Sequence, residues 1–116
     1  EILARHCAEV GTDYDAITRT ANYNVVLGET ERDVQDRLAW MKGHLLSCGV
    51  PEDVAEGRMR DFANGTLTGT PEQLAERLAE LGRLGMSYAI VNFADVAYDR
   101  TALTLFTEKV LPALTA

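Results

Sequence analysis

Residues 70 to 93 read TPEQLAERLAELGRLGMSYAIVNF, and this stretch decides the fold. Thr70 is a helix N-cap residue, Pro71 suits the first helical position because the missing N–H has no intrahelical partner there, and Gln73 is placed to complete a capping box. Leu74, Leu78, Leu81 and Leu84 then recur at helical spacing and form one apolar stripe. Gly85 ends the helix. Met86 to Phe93 follows as a short, mostly apolar strand of the kind buried on both faces in parallel sheets.

The same alternation extends in both directions. Upstream, Ile2, Leu3, Cys7 and Val10 keep helical spacing, and Gly11 stands where a left-handed C-cap is wanted. The pattern is already helical at Glu1, with no initiator methionine or N-cap residue, so further residues are expected before it. Turn-forming residues Thr12 to Asp15 lead into Thr18 to Leu27, where Ala21, Tyr23, Val25 and Leu27 alternate with Thr20, Asn22, Asn24 and Val26. That alternation predicts a strand ended by Gly28. Thr30, with Asp33 imitating a capping box, should start a helix reaching about Ser47 whose stripe is Val34, Leu38, Met41 and Leu45. Gly49 and Pro51 separate it from a helix that buries Ala55, Met59 and Phe62 and stops at Gly65, and Thr66 to Gly69 reads as a loop. Downstream of Phe93, Asp99 is expected to cap a last helix with Leu103, Phe106 and Val110 facing in. Pro112 should end or kink it, because its ring clashes with the carbonyl four residues back.

Strands alternating with helices imply an α/β fold of parallel strands and right-handed crossovers, here two strands with about five helices in a single domain over residues 1–116. Two parallel strands cannot satisfy their own edges. Strands outside this sequence or a partner chain must complete the sheet.

Composition narrows the functional classes. Eighteen acidic residues against eleven basic ones give a formal charge of −7, and no Lys/Arg cluster could follow a phosphate backbone, so nucleic acid is not an expected partner. The longest apolar runs fall far short of the roughly 20 residues that a membrane span requires. Cys7 and Cys48 both fall in helical patterns and do not form a disulfide framework, so a reducing cytoplasm is the expected location.

Candidate chemistry is sparse. His6, Cys7, His44 and Cys48 have ligand chemistry, but His6 and Cys7 are helix neighbours pointing about 100° apart, and buried cysteines with boundary histidines are the better reading; no metal is expected. The helix N-terminus at Gly69-Thr70-Pro71 offers amides to a phosphate, yet Glu72 in the first turn already complements the helix dipole, which favours ordinary capping. Asn22 and Asn24, with Asn92 near the end of the other strand, fit either a polar site lining or a solvated sheet face. Trp40, Tyr14, Tyr88 and Tyr98 are scattered and read as packing residues. No Ser/His/Asp arrangement, phosphate loop or carboxylate pair stands out.

The segment Gly69-Thr70-Pro71-Glu72-Gln73-Leu74-Ala75-Glu76-Arg77-Leu78, with Leu84-Gly85-Met86 and the apolar strand after it, resembles the C-terminal signature of luciferase-like flavin or deazaflavin oxidoreductases, the luciferase-like monooxygenase family. Phe106, Glu108, Val110, Leu111, Pro112 and Leu114 resemble that family's closing helix. Cys7 to Gly11, with Asp15, Ile17 and Arg19, resembles its preceding helix and strand entry. The resemblance implies a (β/α)8 TIM barrel, of which this chain would be about the last two βα units. It also implies FMN or a deazaflavin coenzyme at the barrel mouth and a small organic substrate set against its ring. The family's main cofactor contacts lie on earlier strands, so no catalytic residue is carried over and this stretch alone is expected to be inactive, with no cofactor held tightly. Asn92 and Phe93, at the end of the last strand, are the expected cofactor-side positions, and Asp95 is a looser one.

If that reading holds, the exposed edges should drive association with a copy of the chain, including by exchange of strands. The alternative is a small acidic α+β interaction module without catalysis, anchored through Trp40 on a helix face rimmed by charge.

Overall fold

The computed structural model describes residues 1–115. Helix α1 (Ile2–Val10) ends at Gly11, whose φ of 74° is the left-handed cap that glycine adopts without a Cβ clash. Strand β1 (Thr20–Leu27) is followed by α2 (Glu31–Ser47) and α3 (Glu52–Ala63), then by a three-residue strand β2 (Leu67–Gly69). Helix α4 (Pro71–Arg83) leads to β3 (Tyr88–Asn92). The chain closes with α5 (Thr101–Leu105), a π-helical segment (Phe106–Val110) and α6 (Leu111–Thr115).

The sheet is open, fully parallel and ordered β2-β1-β3. The sequence reading found two of the three strands. The stretch read as a loop at Thr66 to Gly69 contains β2, whose Leu67, Thr68 and Gly69 pair with Val25, Val26 and Leu27. Three residues are too few to display a period of two, and Gly69 reads locally as a breaker, so only the partner strand reveals the element.

Capping chemistry sets the helix starts as expected. Asp33 N–H donates to the Thr30 hydroxyl at 3.2 Å while Thr30 N–H donates to Asp33 Oδ2 at 2.9 Å. At α4, Thr70 N–H donates to Gln73 Oε1 at 3.0 Å. At α5 the expected cap residue Asp99 sits one position outside the N-cap, Arg100, with Oδ1 accepting from Thr101 N–H at 2.8 Å. Pro112 neither ends the helix nor leaves its ladder unchanged. The turn before it widens to π geometry, with Leu111 N–H donating to Phe106 O, and helical backbone resumes from Leu111.

Because side chains alternate across a strand, β1 divides the core in two. Val25 and Leu27 join Leu67, Leu74, Leu78, Phe93, Phe106 and Val110 under α4 and the last helical stretch. Val26 points the other way, into Val34, Leu38, Met41 and Met59 of α2 and α3. Leu67 and Leu74 are fully enclosed, and each such leucine contributes about 1.5–3 kcal/mol of burial. Leu84, by contrast, is 75% exposed at the end of its stripe.

Coverage of the sheet is uneven. Beyond Val26, the α2/α3 layer stops, and Thr20, Asn22 and Asn24 of β1 lie open beside Tyr88, Ile90 and Asn92 of β3. Ile2, Leu3 and Val10 of α1 are exposed as well. No helix among the described residues is long and apolar enough to cross a membrane.

Candidate functional site

The open half-face of the sheet is built by register. β1 and β3 pair so that Thr20 lies opposite Tyr88, Asn22 opposite Ile90 and Asn24 opposite Asn92. Asn92 Nδ2 donates to Asn24 Oδ1 at 3.1 Å. This cross-strand amide pair leaves one Asn92 oxygen and one Asn24 amino group free for a ligand, a matched acceptor and donor. Arg58, Asp61 and Phe62 of α3 stand beside Asn22 and Asn24 and wall an open trough over this face. The chemistry available is hydrogen bonding and orientation: amides neither attack nor carry protons at neutral pH.

Asn92 and Phe93 send their side chains to opposite faces of the sheet. Asn92 joins the amide face, whereas Phe93 turns into the core and packs edge-on against Phe106, with ring centroids 5.5 Å apart at 78°. Asp95, two residues on, is 5% exposed and belongs to a second constellation at the carboxyl end of β3. Arg37 of α2 places Nη1 3.0 Å from Asp95 Oδ2 and Nη2 2.6 Å from Asp99 Oδ2. The Asp95 contact lacks hydrogen-bond angles, so that buried oxygen has no hydrogen-bond partner among the described residues. Hydrogen bonds from Thr101 and then from Arg37 hold the Asp99 carboxyl well below the usual carboxylate range.

Aromatic side chains that looked scattered gather beside this ion group. Trp40 stacks on His44 with centroids 5.3 Å apart and planes 3° from parallel. Tyr98 leans on both, 4.6 Å from His44 and 5.6 Å from Trp40. Trp40 and His44 are one helical turn apart, so their meeting was available from spacing alone. Tyr98 arrives from the loop after β3, which no local pattern encodes. The cluster supersedes the reading of Trp40 and Tyr98 as unrelated packing residues.

His6 pairs with Glu9 at 3.1 Å, Cys7 is buried, and His44 Nε2 lies 3.8 Å from Cys48 Sγ. Among the described residues no three His, Cys, Asp or Glu side chains gather as a metal-holding group. At the start of α4, its own backbone amide and the Thr70 hydroxyl hold the Glu72 carboxyl below its ordinary value, so the helix terminus is met by the chain's own carboxylate.

Comparison with protein-family models, with curated proteins and with solved structures finds no match to this chain. What the fold defines is therefore the class, a mixed α/β protein with an open parallel sheet.

Proposed function

We propose that this chain is the C-terminal part of a luciferase-like oxidoreductase, and that the amide face of β1 and β3 is the inner wall of its barrel. The observation that supports this best is the uncovered amide half-face. The face carrying Val25 and Leu27 is packed under helices; on the other face α2 and α3 cover only the carboxyl end at Val26, and Asn22, Asn24 and Asn92 lie bare. A barrel has helices outside, strand side chains inside and its βα connections gathered over the carboxyl ends of the strands, and the bare stretch would be its inner wall. β1 and β3 would be adjacent barrel strands, and β2, on the opposite side of β1, an addition at its carboxyl end. The exposed apolar residues of α1 would pack on the preceding unit.

Within such a barrel the free Asn92 oxygen and Asn24 amino group could hydrogen-bond the imide-like edge of an FMN or deazaflavin ring, leaving the redox chemistry to the coenzyme. Phe93 would support this wall from behind. The test is a titration of the protein made from the whole reading frame with FMN and with a deazaflavin coenzyme, followed by ring fluorescence. Saturable binding of either, weakened at least tenfold in the Asn24→Ala/Asn92→Ala variant, is expected. Binding of neither coenzyme would overturn the assignment.

A further inference from the structure

Between α2, α3 and the loop after β3 lies a cavity of about 150 Å3. Its walls are mainly apolar and aromatic: Trp40, His44, Met59, Phe62 and Tyr98, together with Asp95. The volume is that of a hydrocarbon-lined cavity able to take one benzene ring. A carboxylate in such a place is costly unless paired. Arg37 lies within reach of both Asp95 and Asp99, so its single positive charge is shared between two carboxylates. The Asp95 oxygen nearest Arg37 has no hydrogen bond among the described residues and is closed to solvent, so only the other carboxylate oxygen can meet a ligand. Aromatic walls add quadrupoles whose negative faces also attract a cation.

We propose that this cavity binds a small organic ammonium ion, its apolar body seated between Met59, Phe62 and the Trp40/Tyr98 rings and its N–H groups directed to Asp95. The inference goes beyond the barrel assignment and does not depend on it. Arg58 also lines the cavity, but it is an exposed side chain whose charge water and salt screen, whereas Asp95 is enclosed. The balance of the site therefore favours a cation over a carboxylate ligand.

Trp40 is the single tryptophan, so its fluorescence reports the site directly. The probes are benzylammonium, the uncharged benzyl alcohol and the anionic benzoate, each titrated into the full chain at neutral pH. Saturable quenching or shift of Trp40 emission by benzylammonium is expected, with the other two at least tenfold weaker. Asp95→Asn should lose at least tenfold in affinity, while Arg58→Gln should keep or improve it. Because Asp95→Asn could disturb folding, Ala94→Leu serves as a second variant: Ala94 is an exposed residue lining the cavity, and the larger side chain should block entry with the circular dichroism spectrum unchanged. Equal binding of alcohol or benzoate, undiminished binding by a folded Asp95→Asn or Ala94→Leu variant, or no saturable change with benzylammonium would overturn the proposal.

Discussion

Replacing Arg37 with methionine removes the cation paired with Asp95 and Asp99 while keeping most of the side chain's bulk. Arg37 is 17% exposed and Asp95 5%, so the first pair is enclosed, whereas Asp99 is 38% exposed and contributes less. Removing one partner of a buried pair costs about 3–5 kcal/mol because the remaining charge is left uncompensated. A partly exposed pair is worth only about 0–1 kcal/mol. Arg37→Met should therefore destabilise by about 3 kcal/mol, a large share of the roughly 5–15 kcal/mol that holds a domain together. Urea unfolding followed by Trp40 emission and by circular dichroism, at one fixed protein concentration, measures it. The double variant Arg37→Met/Asp95→Asn should be more stable than Arg37→Met alone, since the stranded charge is gone. A loss below about 1 kcal/mol for the single variant, or no recovery in the double, would refute the view that this ion group ties α2 to the loop after β3.

Three other perturbations probe the fold. Gly28→Ala would put a Cβ 2.6 Å from Val34 N and 2.7 Å from Asp33 Cβ; the helix start cannot move away, and a loss of about 1–3 kcal/mol in urea unfolding is expected. Leu74→Ala, at a fully enclosed position under β1 and β2, should cost about 2–5 kcal/mol by the same assay. The depressed Asp99 carboxyl makes stability pH-dependent: it is deprotonated when folded at pH values where the unfolded group, near 3.8, begins to take a proton. Its contribution is therefore complete above that value and is lost as pH falls below it, so Asp99→Asn should flatten the acid limb of the stability profile.

Most of the architecture was legible because local chemistry and tertiary packing agree. Thr30 with Asp33, and Thr70 with Gln73, mark helix starts by hydrogen bonds made within four residues, and the apolar stripe of α2 and the first half of α4's stripe, Leu74 and Leu78, face the core they imply. What was illegible depends on distant partners. β2 exists only because Val25 to Leu27 offer a ladder to Leu67, Thr68 and Gly69. The π turn before Pro112 is a compromise between a proline's geometry and the burial of Phe106 and Val110, which the proline's ring clash alone reads as an end or a kink. At the site, the three asparagines were visible as polar residues out of place on a strand, and the register brings Asn24 to Asn92. The Arg37/Asp95/Asp99 group and the Trp40/His44/Tyr98 cluster join α2 to a loop much later in the chain, and no spacing rule connects them.

The bare amide face is the central observation, and the reading frame on the 5′ side of the Glu1 codon tests its interpretation most directly. A complete barrel of about 250 residues requires roughly 130 or more residues upstream, with further strand and helix patterns and a strand to pair with β3's free edge. An in-frame continuation of that kind is the expected result. A stop codon within the first few upstream codons would contradict it, and the open face would then belong to a small α/β protein that meets its partner there.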